Sequence, residues 1–290
     1  MHPKEEQPGP KVRTLDRLKE EFAEDCNLSL PTGLNFLAPL IVENLIRVGN
    51  SNDGGYVVPE SCAVAVDALI SFGIFTDWSF EEHFRKLNPQ IHIHAYDHTI
   101  SGQRFKRSFE RGIVKSMLGR LSASELRERL RLWRSYKTFF HGSATHFEER
   151  IHNRVDSVQD ATLDMVFERT SSNKIFLKVD IEGTEYRIID DILKYADRIT
   201  GMVIEFHETA ARRDVFCNSV KRLQERFEIV HLHGNNYGPL ARDNLPEFLE
   251  FTFANRGSVL GGSKRCRLPL PHLDRPNHKA RPDYEMRFSI

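Results

Sequence analysis

Three carboxylates fall within six positions of the stretch KIFLKVDIEGTEY (174–186): Asp180, Glu182 and Glu185. The first of them ends KIFLKVD, a run otherwise suited to a buried strand, where Gly, Asn or Pro would be the usual terminators. A second apolar run, GMVIEFHE (201–208), carries Glu205 and His207 two positions apart, hence on one face of a strand. Carboxylates and an imidazole gathered at strand ends are groups that accept a proton from a hydroxyl or hold a divalent cation.

The elements that must position these groups read as alternating strand and helix. AVDALISFGI (65–74) predicts a buried strand, followed by the helix WSFEEHFRKL, and IHIHAYD (91–97) predicts a strand ending in an acid. KIFLKVD is followed by the amphipathic helix TEYRIIDDILKYAD, and GMVIEFHE by the helix DVFCNSVKRLQERF. EIVHLHG and EFLEFTFAN (247–255) are two further strands, the last with no helix behind it. This alternation predicts βαβ units and a mostly parallel, doubly wound sheet, an α/β protein.

Ligands of such sheets bind beyond the carboxyl ends of the strands, where the strand order reverses. The strand ends therefore supply the candidates. These are Ser71, Phe72, Gly73, Asp77 and the adjoining Trp78; Asp97; Lys178, Asp180 and Glu182; Glu205 and His207; and His233 with Asn235. His92 and His94, inside a strand, read as packing residues. An acid ending the second strand about twenty residues beyond the first glycine turn holds ribose hydroxyls, and Asp97 lies 24 positions after Gly73. The turn SFGIFTDWSF has a single glycine, with bulky Ile74 and Phe75 where a pyrophosphate would need G-x-G-x-x-G, so NAD and FAD are disfavoured. S-adenosylmethionine, which has a ribose and an adenine but no phosphate, suits that turn better. No P-loop sequence is present.

The chain has 290 residues, enough for one large domain or two small ones, and at 40% hydrophobic and 28% charged it matches soluble globular composition. Lys+Arg and Asp+Glu are both 41, so no chain-wide grip on nucleic acid is expected. Cys26, Cys62, Cys217 and Cys266 are scattered without metal-finger spacing and read as reduced thiols. MHPKEEQPGPKVR lacks the apolar centre of a signal peptide, and no apolar run approaches the roughly 20 residues of a membrane span. The expected location is cytoplasmic, with contact to a membrane surface left open.

Residues 1–13 read as disordered and TLDRLKEEFAEDC (14–26) as a short amphipathic helix, within an N-terminal segment 1–40. A main domain spans 41–255, and a Pro-rich segment, 256–290, wraps it in extended form. Arg104–Lys137 interrupts the alternation with eleven Lys or Arg against three Glu, as a basic helical insertion over about 102–140. It reads either as a solvated helix face or as a flap that greets an anionic acceptor, with Arg131 facing the substrate. Trp133 either stacks on a sugar or packs inward.

A resemblance joins these pieces. RVGNSNDGGYVVP (47–59), ALISFGIFTDWSFEEHF (68–84), HAYDHT (94–99), IFLKVDIEGTEYRII (175–189), MVIEFHE (202–208), HLHGNNYG (231–238) and LPEFLEFTF (245–253) resemble the FkbM-type family of S-adenosylmethionine-dependent methyltransferases. The strongest piece, KVDIEGTE, is similar to that family's lysine, acid and Glu-Gly signature after the fourth strand. The resemblance implies a class I methyltransferase fold, Rossmann-like, with seven strands and the last antiparallel. It also implies O-methylation, commonly of sugars or natural-product hydroxyls, so that the partner is a small-molecule or glycan acceptor. Asp53, Gly54, Gly55 and Tyr56, which alone read as a hairpin turn, would border the cofactor.

Asp180 would lie beside the cofactor's sulfonium, with Glu182 and Glu185 starting the next helix, where the helix dipole favours acids. With the fifth strand beside the fourth, Asp180, Glu205 and His207 meet in one of two ways. They form a general base with its orienting acids, or they ligate one divalent metal. His231 and His233, on the far-edge strand, take a structural or substrate-facing role. Two rivals stand beside this reading. One is a Rossmann-type nucleotide-sugar-modifying enzyme or dehydrogenase, against which the missing G-x-G-x-x-G counts. The other is a non-catalytic cofactor-binding module on a degenerate methyltransferase fold.

Overall fold

The six runs predicted as strands, joined by a seventh, pair into one sheet in a computed structural model that describes residues 27–259 and 261–290. The expected helix over 14–26 lies outside the described residues. The described chain begins with β1 (Asn27–Ser29) and the hairpin β2 (Leu45–Gly49)–β3 (Gly55–Pro59), then α1 (Glu60–Val64). The first half of the sheet follows as β4 (Ala68–Phe72), α2 (Ser79–Leu87), β5 (His92–Tyr96), α3 (Gly102–Met117), α4 (Ala123–Phe139) and β6 (Ala144–Phe147). After the short β7 (Arg150–Ile151), β8 (Asp160–Ala161) and α5 (Leu163–Glu168) comes β9 (Ile175–Val179), then α6 (Ile189–Lys194) and β10 (Ile199–Phe206). The described chain closes with α7 (Arg213–Leu223), β11 (Phe227–Gly234), β12 (Leu249–Asn255), β13 (Arg267–Leu268) and β14 (Glu285–Arg287).

The sheet order is β11-β12-β10-β9-β4-β5-β6. Its strands are parallel except β12, which runs antiparallel to both neighbours. Alternate residues serve opposite faces. Ile70, Phe72, Leu177 and Val179 join a core closed by Val166, Ile192, Phe216 and Val220 of α5, α6 and α7. Leu69 and Phe176 join a second core with Phe80 and Phe84 of α2 and with Phe105 and Phe139 of the helical pair. Both faces are thus covered, as near-continuous apolar parallel strands require. Among the described residues no helix is long and apolar enough to cross a membrane.

Three elements depart from expectation. The third parallel strand, β6, has only four residues, and its ATHF pattern is too short and too polar to read as a strand from periodicity. The basic insertion is the crossover from β5 to β6, folded as two antiparallel helices. Ser101 caps α3, and a Ser122–Glu125 capping box starts α4. The helix expected from Thr184 breaks into a tight 3-10 turn, Glu185–Arg187, followed by α6. His92 is exposed rather than packed, because it opens β5 at the rim of the sheet, while the half-buried His94 packs against Phe147.

Candidate functional site

Strand order reverses between β4 and β9, since the chain leaves β4 toward β5 and leaves β9 toward β10. The loops after these two strands meet at the crevice such a reversal creates. Gly73 has φ 72°, and a Cβ there would fall 1.6 Å from the Asp180 carbonyl oxygen, so only glycine lets the two loops touch. Asp97, at the end of β5, fastens this turn. Its Oδ2 accepts from Ile74 N at 3.1 Å and Phe75 N at 2.7 Å, and its Oδ1 accepts from Thr99 N at 2.7 Å and Thr99 Oγ1 at 2.5 Å. Burial pushes its pKa up, but these four donors outweigh burial and hold it below the ordinary carboxylate value. The residue expected to face a ribose is therefore also the clasp of the turn.

The acids and the imidazole meet on the other side of the crevice. Glu185 is fully buried. Its Oε1 accepts from Ile181 N at 3.2 Å, Gly183 N at 3.0 Å and His207 Nδ1 at 3.0 Å. That bond fixes the tautomer of His207, with Nδ1–H donating and Nε2 left as an acceptor. His207 Nε2 lies 3.5 Å from Glu182 Oε2 and 3.9 Å from Glu205 Oε1. Burial disfavours the charged imidazole, yet Glu185, Asp180 and Glu182 outweigh it and raise its pKa. Sequence reasoning took Glu185 for a helix-start residue. It does open the 3-10 turn, but its carboxylate points inward and orients the histidine.

Asp180 accepts a hydrogen bond from Tyr56 O–H at 3.4 Å. Burial foremost, with Glu182 and Glu185, pushes its pKa up to about 6 against the opposing pull of Lys178 and His207. Glu205 accepts from Asn235 Nδ2 at 2.8 Å. Burial, then Asp180, Glu250 and Asp53, hold its pKa well above the usual carboxylate range. Glu205 is the register partner of Glu250 on β12. Asp180, Glu205 and His207 each offer one ligand atom within 4.8 Å of the others.

The remaining predicted residues separate by role. Asp53, Gly54 and Gly55 form the β2–β3 turn at the edge of the site. Asn50 Nδ2 donates to Asp77 Oδ2 at 3.2 Å, and Asp77 Oδ1 accepts from Ser79 N at 2.9 Å at the start of α2. Trp78, expected at the cofactor, is buried against Phe105, Tyr136 and Phe140 and donates to Ser135 Oγ at 3.2 Å, so it anchors the helical hairpin instead. Lys178, one of the strand-end candidates for the ligand, is buried. Its Nζ donates to the Gly73 carbonyl at 3.0 Å and lies 3.6 Å from Glu81 Oε1, which also accepts from Ser71 Oγ. Burial opposes its charge, but Glu81, Asp180 and Asp77 outweigh burial and raise its pKa. Arg131, also expected at the substrate, bonds Glu128 at 2.6 Å on the exposed face of α4. Trp133 packs inward, stacked on Phe109.

His233 is buried between Glu250 (3.0 Å) and Asp283 (3.0 Å), and His231 pairs with Asp274 at 2.9 Å. These acids, with Asn277, were missed. Asn277 Nδ2 donates to Glu250 Oε1 at 2.6 Å and to Asp53 Oδ1 at 3.2 Å, so the C-terminal segment closes one side of the acid cluster. Glu250 had left a signal, an acid at the second position of the apolar strand LEFTFAN. Asn277, Asp274 and Asp283 had none, because they come from an irregular segment that only tertiary structure brings to the site.

A sheet of this order, with its site at the β4–β9 reversal and its seventh strand antiparallel, defines a class I methyltransferase fold, Rossmann-like, the class that uses S-adenosylmethionine. The family profile described as the methyltransferase FkbM domain matches residues 121–238. No curated protein matches the chain. Among solved structures, the fibrillarin pre-rRNA processing protein of Methanococcus jannaschii is 8% identical, with 67% of this chain and 68% of that chain covered at TM-score 0.36. A protein from Staphylococcus aureus described as a caffeoyl-CoA O-methyltransferase is 8% identical, covering 66% and 77% at TM-score 0.36. Precorrin-6y C5,15-methyltransferase from Geobacter metallireducens is 13% identical, covering 68% and 86% at TM-score 0.32. At such scores the fold assignment rests on strand order instead.

Proposed function

We propose that the chain is an S-adenosylmethionine-dependent O-methyltransferase whose acceptor is a hydroxyl of a sugar or glycan. One observation carries the reading. His207 is held through Nδ1 by buried Glu185, so that Nε2 faces Glu205 and Glu182 at the carboxyl edge of the sheet, beside the Gly73 turn. A polyhydroxyl acceptor suits a site lined by carboxylates and amides rather than by apolar side chains.

The residues fit the cofactor at its charged end, where Asp180, Glu182 and Glu205 favour a sulfonium. At the ribose end a diol competes with Thr99 Oγ1 for Asp97 Oδ1. When bound, the cofactor supplies an electrophilic methyl group. Within the protein, His207 Nε2 takes the proton of the acceptor hydroxyl, and Glu185 stabilises the imidazolium that forms. Asp180 orients the hydroxyl, and proximity within the crevice contributes the rest.

A second reading is favoured by the ligand atoms of Asp180, Glu205 and His207 lying within 4.8 Å of one another. Here the three bind a divalent cation, and His207 is a ligand rather than a base. Calorimetry with S-adenosylmethionine and NAD, followed by methyl-labelled turnover on hydroxyl-bearing glycans, tests the proposal. The expected result is binding of the first cofactor only and a label stable to base, as an ether is and a methyl ester is not. Binding of NAD alone would establish the Rossmann rival, and binding of neither the non-catalytic module. A chelator abolishes turnover only if the second reading holds.

A further inference from the structure

The hairpin of α3 and α4 carries surface features that methyl transfer does not use. α3 starts six residues after β5 ends, at the carboxyl edge of the sheet that holds the site. α4 returns past Trp78, bonded to Ser135, and places the Phe139 ring under the Arg85 guanidinium. Over 16 residues α3 carries the chain about 24 Å from its start. At its far end Val114, Met117 and Leu118 are 58%, 81% and 61% exposed. Their spacing of three and four places them on one face of the last turn, and three large apolar side chains clustered on a solvated tip call for a partner.

Leading to this tip, Arg104, Arg107, Arg111 and Lys115 line one side of α3. With Ser108 and Arg129 they border a cleft of about 300 Å³. Arg107, Arg111 and Lys115 make no ion pair with any described residue. On the α2 side, Arg85, Arg127, Arg131 and Arg134 line a second cleft of about 450 Å³. The hairpin therefore joins an apolar point to a cationic collar, and this pairing selects among anionic partners. Single-stranded nucleic acid and sugars are gripped by exposed aromatic rings. The hairpin's aromatics are engaged with one another, the half-buried Phe109 stacked on half-buried Trp133 and Tyr136 against Phe105 and Phe140.

We infer that the hairpin tip docks on the surface of a lipid bilayer with anionic headgroups. Val114, Met117 and Leu118 enter the interface, and the α3 basic stripe lies against the headgroups. Docking there presents the carboxyl edge of the sheet to the membrane. The inference does not depend on the acceptor, and its readout is binding rather than turnover.

Co-sedimentation of the full chain with vesicles of phosphatidylcholine, with and without phosphatidylserine, tests it. The full chain should bind only the anionic vesicles and release them as salt rises. Met117→Asp/Leu118→Asp should weaken vesicle binding roughly tenfold or more while leaving retention on heparin unchanged. Arg107→Gln/Arg111→Gln/Lys115→Gln should weaken both, by roughly fivefold per residue removed on vesicles. These side chains are exposed, so the variants should melt with the wild type; if one does not, the single changes Met117→Ser and Arg111→Gln are read instead. Equal binding to neutral and anionic vesicles, or binding indifferent to the tip, overturns the inference. So does a short RNA that binds tightly whatever stands at positions 117 and 118, which would make the partner a nucleic acid.

Discussion

Glu185 and His207 divide the work of one base, since the carboxylate sets the tautomer and the imidazole presents Nε2. The pKa of His207 is raised, with Glu185 its largest favourable cause against burial. A base must be neutral, so the rate should climb as pH rises through a midpoint above the ordinary value of about 6.5. Glu185→Gln should move that midpoint down and slow turnover on the order of 100-fold, while His207→Ala should cost about 100-fold to 10,000-fold. A pH profile that stays flat across this range in the wild type removes His207 from proton transfer. Asp180 works in the opposite sense. Its folded pKa, raised to about 6 chiefly by burial, gives a contribution to stability that is complete below the unfolded value and lost as pH rises through 6. Asp180→Asn removes that loss. It should raise the melting temperature at pH 8, by up to ~3 kcal/mol of stability, while methyl transfer falls on the order of 100-fold. A variant that melts lower at pH 8, or methylates at the wild-type rate, contradicts the assignment.

At the scale of elements, the site exists because two loops touch where β4 and β9 part, and Gly73 is the contact. Gly73→Ala places a methyl on the Asp180 carbonyl and forces a left-handed residue. The left-handed conformation alone costs about 1–2 kcal/mol, and displacement of the Asp180 loop adds to it. Thermal melting should drop, and S-adenosylmethionine affinity measured by calorimetry should fall with it; an unperturbed variant would show that the loops move apart freely. Five parallel strands, β4, β5, β9, β10 and β11, were legible as short β-forming runs, β5 and β9 with an acid directly behind them, and β12 because no helix follows it. β6 was not, since four mixed residues carry no period, and the helical pair reads as an interruption although it is the β5–β6 crossover. Of the site, the strand-end residues Asp180, Glu205 and His207 were legible from alternation and position. The roles of Lys178, Trp78 and Glu185 were not, because nothing in a pattern tells an inward carboxylate or ammonium from an outward one.

Across the whole molecule, the acid cluster is tolerable only because the last thirty or so residues close over it. His233 sits between Glu250 of the sheet and Asp283 of that closing segment. Burial opposes the charge on His233, but Asp283 and Glu250 outweigh it and hold its pKa well above the histidine range. The pair thus carries the positive charge that offsets a neighbourhood of carboxylates, and it ties the end of the chain to the strand facing Glu205. For a histidine with a raised folded pKa, the stabilisation is full below about pH 6.5 and is lost as pH climbs through the folded value. Wild-type melting temperature should therefore decline on the alkaline side. Asp283→Asn removes one of the two hydrogen-bonding supports. At neutral pH it should cost about 1.5–3 kcal/mol, the range for a hydrogen bond to a charged group, and the alkaline decline should begin at lower pH because one of the acids that hold the proton is gone. The same change should loosen Asn277 from Glu250 and Asp53 and so widen the site, raising the Michaelis constant for the acceptor more than it lowers the turnover number. Melting curves recorded from pH 5 to 9 for the wild type and Asp283→Asn decide the matter. Superimposable curves would mean that the segment closes over the site without carrying its charge balance.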